Sequence, residues 1–126
     1  MNEPWTLEVP APAAWISMND RSHWATRARL TKAWRHSAHV YARLARLPKG
    51  LGPVHITAAV IKSTGRAYDA HNLTPTAKAV IDGLVDYGLT PDDTNAHVVG
   101  PDMREGGTGR AGLLLTITPI ESGSAL

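Results

Sequence analysis

Acidic and amide side chains gather in two short clusters of this chain, Asp69-Ala70-His71-Asn72 and Asp92-Asp93-Thr94-Asn95, with a helix-like run between them. Convergent carboxylates with a neighbouring amide suit a hard divalent cation such as Mg²⁺. A turn after a helix of this length would bring the chain back, which predicts Asp69 close to Asp92 and Asp93. Phosphodiester hydrolysis needs a nucleophilic water and stabilisation of charge on the phosphate, and a cation held by acidic oxygens supplies both. A lysine or arginine beside it, Lys78 or Arg66, would stabilise the pentacoordinate charge. The same residues equally suit a capped surface helix between acidic loops. Lys78 and Asp82, four residues apart, are also an ordinary helix-stabilising pair.

The distribution of charge adds a second feature. The 126 residues carry a formal net charge of +2, but no acidic residue lies between Asp20 and Asp69. That interval holds Arg21, Arg27, Arg29, Lys32, Arg35, Arg43, Arg46, Lys49, Lys62 and Arg66 with four histidines. From Asp69 to Glu105 the balance reverses, with seven acidic residues against Lys78 and Arg104. A basic half beside an acidic half implies a polyanion-binding surface next to a cation-binding site. A surface charged for solubility alone mixes its signs.

The elements that must position these residues follow from periodicity. Trp5 to Val9 alternates and reads as a strand; Ala14 to Met18 reads as a second short strand or an extended arm. His23 to Leu47 is free of Gly and Pro and predicts a helix. Its apolar face is Leu30, Ala33, Trp34, Ser37, Ala38, Val40, Tyr41, Leu44 and Ala45, and its basic face carries Arg29, Lys32, Arg35, His36, His39, Arg43 and Arg46. Acid–base pairs at i,i+4, usual on a solvated face, are missing from it. Val54 to Lys62 predicts a central strand. Thr74 as N-cap, Pro75 at the first helical position and Gly88 as C-cap delimit a second helix. Asn95 to Val99 predicts a strand stopped by Gly100-Pro101, Glu105 to Gly109 a hairpin loop, and Gly112 to Thr118 the last strand. The expected fold is a single α+β domain over residues 1–126: a small mixed sheet of about four to five strands with two helices packed on it, and a flexible polar tail at 119–126.

Several chemistries are excluded. The chain has no cysteine, hence no disulfide scaffold, zinc ribbon or thiol nucleophile. Gly106-Gly107-Thr108-Gly109 neither follows the right strand nor opens a helix, so no nucleotide cofactor is expected. No serine sits in a nucleophile elbow. His36 and His39 have helical ligand spacing but stand among arginines, which argues against a metal there. No apolar run has the length of a membrane span and no signal-peptide core opens the chain, so a cytoplasmic setting without a membrane partner is expected.

The pattern Asp69-x-x-Asn72-Leu73, Lys78, Asp82-Gly83-Leu84, Gly88 and Asp92-Asp93 resembles the RusA-type Holliday junction resolvases of bacteria and phages. Asn19-x-Arg21 and the basic first helix are similar to that family's N-terminal half, and the resemblance runs roughly from Leu7 to Ile117. It implies a homodimer that cleaves branched DNA with Mg²⁺. Asp69 and Asp93 would be the principal ligands, Lys78 the charge-stabilising lysine, and Asn72, Asp92, His71 or Asp82 the supporting ligands. Arg21, Arg27, Arg29, Lys32, Arg35, Arg43 and Arg66 would contact phosphates. His71 stands where the family has a second aspartate; imidazole suits Mn²⁺ better than Mg²⁺. The alternative expectation is a junction-binding relative without cleavage.

Overall fold

The computed structural model describes residues 3–120. Four strands and two helices follow in the order β1 (Trp5–Pro10), α1 (Trp24–Leu44), β2 (Val54–Lys62), α2 (Thr74–Tyr87), β3 (Val98–Thr108) and β4 (Gly112–Pro119), with a single 3₁₀ turn, Ala70–Leu73, leading into α2. The strands form one mixed sheet in the order β1-β4-β2-β3. β4 runs antiparallel to both β1 and β2, and β3 runs parallel to β2. A parallel pair needs a crossover, and α2 supplies it. The expected α+β domain is therefore present, with β2 central as predicted.

Alternation decides the layering. Leu7 and Val9, Val54, Ile56, Ala58 and Val60, and Leu113, Leu115 and Ile117 all point to one face and are buried there, under the two helices. Trp34 of α1 is fully buried and donates its indole N–H to Ala14 O at 2.9 Å. Within α1 the expected apolar stripe is shifted: Ala42 is buried, while Leu44 is 72 % exposed because the helix ends there and the chain turns at Ala45 and Arg46.

Two predicted elements are corrected, and one open reading is decided. Of the two readings, short strand or extended arm, Ala14 to Met18 takes the second and lies across the helices as an arm held by side-chain and backbone bonds. The Thr76 hydroxyl accepts from Ile16 N at 2.8 Å and donates to Ile16 O at 2.9 Å, and Met18 N donates to Asn72 O. β3 does not stop at Gly100-Pro101. It is the edge strand, and the register with β2 slips between His55 and Thr57, opposite those residues, where a bulge tolerates a residue without an N–H. Nor do Glu105 to Gly109 make a hairpin, since β2 lies between β3 and β4. Residues Gly109 to Ala111 cross the end of β2, Gly109 N donating to Lys62 O at 2.9 Å. Of the tail expected at 119–126, two residues are placed: Pro119 ends β4 and Ile120 N donates to Pro53 O at 2.9 Å. Residues 121–126 lie outside the described residues.

Thr76 is 0 % exposed and Ile16 1 %, so Thr76→Val keeps the volume but leaves a buried N–H and C=O unpaired. The expected loss is about 2 kcal/mol, read by urea denaturation, with Thr76→Ser recovering most of it. A loss within error of zero would show that the arm is anchored elsewhere.

Candidate nucleic-acid interface and acidic ridge

α1 presents a face that no other element covers among the described residues. Trp24, Ala28, Thr31, Arg35 and His39 follow one another at helical spacing, with Arg27, Lys32 and His36 alongside, and together they line a groove of about 720 Å³ bordered by Asp86 of α2. Ala28 and Thr31 are small enough to leave its floor low. Thr31 spends its hydroxyl on Arg27 O at 2.9 Å, which leaves its methyl group to the groove. Of the predicted phosphate contacts, Arg27, Lys32 and Arg35 lie here. Arg21, Arg29 and Arg43 are exposed outside the groove, and Arg66 lines a separate hollow with Tyr68 and Glu105.

Arg35 joins this groove to the acidic residues of α2. Its Nε and Nη2 donate to the two oxygens of Asp86 at 2.6 and 2.8 Å. That pairing holds the guanidinium above its ordinary value and the Asp86 carboxyl below its own. Both side chains are partly exposed, so the pair orients rather than stabilises. One turn earlier on the same ridge is Asp82, and Asp93 comes back from the following loop to face it. Burial, and then the Asp93 charge and hydrogen bond, push the Asp82 carboxyl up; Arg35 and Lys78 oppose the shift and do not cancel it. Lys78, Asp82 and Asp86 thus form an outward row at i, i+4 and i+8 that meets the basic groove at Arg35.

The predicted convergence of the two acidic clusters is not what the chain does. Asp69 Oδ1 accepts from His71 N at 3.0 Å, capping the 3₁₀ turn. Asp69 and His71 line a hollow of about 410 Å³ with Met103, Arg104 and Glu105 of β3. Asp93 faces Asp82 instead, eight residues beyond Thr74, and that stretch of helix alone rises about 12 Å. Asp92 turns away into its own loop, where it accepts from Thr94 N–H and hydroxyl and pairs with His97 Nδ1 at 2.9 Å. The Thr94 hydroxyl, the His97 ring and the Thr94 N–H hold its carboxyl down at about 2. Asn72 holds the arm through its backbone oxygen at 2.8 Å. Among the described residues, no three His, Asp or Glu side chains converge as a metal-holding group. The two facing carboxylates are Asp82 and Asp93, and a pair of this kind does fit Mg²⁺, which commonly takes one or two carboxylates and completes its shell with water and substrate phosphate.

Asp86 and Trp24 also line the groove, and the charge pattern singled out neither. No protein-family model and no curated protein matches the chain. No helix among the described residues is long and apolar enough to cross a membrane.

Proposed function

We propose that this chain is a metal-dependent endodeoxyribonuclease of the RusA type acting on branched DNA inside the cell. The observation that carries the reading is the junction at Arg35, where a cationic groove whose bordering acid, Asp86, is paired with Arg35 meets the Asp82–Asp93 carboxylate pair. A strand laid along Arg27, Lys32 and Arg35 would bring its phosphates to that pair. Asp82 and Asp93 would hold Mg²⁺, or Mn²⁺ in its place, and the ion would supply an activated water and charge neutralisation at the scissile phosphate. Lys78, one turn away on the same row, would stabilise the developing negative charge. Arg35, oriented by Asp86, would hold the phosphate in line. A four-way junction offers two symmetric phosphates, which calls for a homodimer.

A second reading, structure-selective binding without cleavage, is favoured by one specific feature: Asp69 and His71 stand apart from Asp93. A synthetic four-way junction with Mg²⁺ or Mn²⁺ separates the two. Symmetric nicks that disappear in Asp93→Asn are expected. Tight junction binding with no nicks under either metal selects the second reading, and equal binding to junction and duplex at matched salt removes both.

A further inference from the structure

Trp24 is the most exposed large apolar side chain among the described residues, at 75 %. The His23 ring is tilted beside it, centroid to centroid 5.5 Å; the rest of the indole faces the groove mouth. Trp5 and Trp15 are half-buried against the core, Trp15 stacking on the buried Trp34 at 5.1 Å. A single exposed apolar side chain needs no ligand to explain it, but an indole with open faces at the start of a cationic groove is placed where a planar ring can stack.

We propose that the groove takes an unpaired nucleic-acid strand, with one base stacked on Trp24 and the backbone running past Arg27, Lys32 and Arg35. The inference deepens the nuclease reading and rests on it for the choice of DNA. Aromatic platforms interleaved with cations along a groove are how single strands are held without sequence preference. A paired base inside a duplex has both faces stacked and cannot use Trp24. A strand at a branch point can. From Trp24 to His39 is 15 residues, about 22 Å of helix, long enough for several nucleotides. The cations are already aimed: Arg27 is fixed by its bond to Ser17 O at 3.1 Å and Arg35 by Asp86. Each arginine keeps further N–H groups for phosphate. Among the described residues Asp86 is the groove's single acid, and Arg35 already neutralises it. Charge complementarity therefore selects a polyanion, and the bare indole selects one with free ring faces.

The test is binding of a labelled oligo(dT) strand by fluorescence anisotropy, with a duplex of equal length in parallel. Trp24→Ala is expected to weaken the single strand at least about fivefold, the lower end of one stacked base, and to leave duplex affinity and thermal melting unchanged. Trp24→Phe recovers most of the loss. Lys32→Ala lowers the salt slope by about one, whereas Trp24→Ala leaves that slope as it was. Unchanged oligo(dT) affinity in Trp24→Ala, or an equal loss on the duplex, overturns the proposal. So does a Trp24-dependent dimer in sedimentation with no oligo(dT) binding, which assigns the groove to a second copy of the chain. Junction nicking keeps the two readings distinct. Nicking by a protein whose oligo(dT) binding ignores Trp24 sinks the strand site alone, and Trp24-dependent oligo(dT) binding with no nicking sinks the nuclease alone.

Discussion

Gly83→Ala is expected to destabilise the protein by about 2–3 kcal/mol and to lower its melting temperature by about 10 °C. On propensity alone the change should help, since alanine is favoured over glycine in a helix interior by about 1 kcal/mol. Contact decides otherwise. A Cβ at position 83 would stand 2.1 Å from the backbone oxygen of Arg35 and 2.8 Å from the Cβ of Ala38. A backbone oxygen cannot rotate aside, so α1 would have to lift away from α2. The same displacement would separate Arg35 from Asp86, so the variant should also lose nucleic-acid affinity beyond what its melting predicts. Gly65→Ala is the matched control, because nothing lies within 4 Å of a Cβ there. A Gly83→Ala protein that melts at or above the wild-type temperature would sink the close approach of the two helices.

This contact shows what kind of information the sequence carried. The period of α1, the run of β2 and the Pro75 and Gly88 bounds of α2 were all legible, because each is a local rule: amphipathic spacing, β-branched alternation, a fixed φ at one end and a left-handed cap at the other, where Gly88 has φ 104°. Thr74 is the first residue of α2 rather than its cap, since the 3₁₀ turn already winds the chain and Asp69 has taken the capping role. The misread elements depend on neighbours that sequence spacing does not reveal. Gly100-Pro101 breaks a central strand but not an edge strand at a bulge. The arm at Ala14 to Met18 is one of two readings its residues allow, and it is decided by the hydroxyl of Thr76, the backbone of Asn72 and the indole of Trp34.

The site divides in the same way. A helix without acids is visible as composition, and it does form an open cationic face. Which acids meet is a matter of how the chain returns after Gly88. Leu89 and Gly88 are drawn back against Gly50 and Leu51 by backbone bonds of 2.8 Å, which brings Asp93 beside Asp82 and leaves Asp92 to close its own turn on Thr94 and His97. Asp69 stays at the other end of the helix. The charge pattern thus located two acidic clusters, and the return path partners their members differently.

That repartnering makes Asp82→Asn the sharper experiment on the chemistry. Removing a ligand and a charge from the pair should cost at least about a hundredfold in Mg²⁺-dependent cleavage, because a bound ion contributes several kcal/mol to such a reaction. The same change should leave the fold slightly more stable at neutral pH, by about 0.5 kcal/mol once solvent screening is allowed for, or about 2 °C of melting temperature. The sign follows from the raised carboxyl. Asp82 favours its protonated form more in the fold than in the open chain, so its contribution is fully present below the ordinary aspartate value of 3.8 and is lost as pH rises through its higher folded value. Variant and wild type should therefore converge in stability toward acid pH and part company above it. Asp92 behaves oppositely: its contribution is present above the ordinary value and is lost as pH falls toward about 2. Mg²⁺ supplies a readout independent of turnover. It should raise the melting temperature of the wild type by mass action and leave that of Asp82→Asn where it is. A variant less stable than wild type at neutral pH would make Asp82 a structural anchor and remove the opposed carboxylates as a place for the ion.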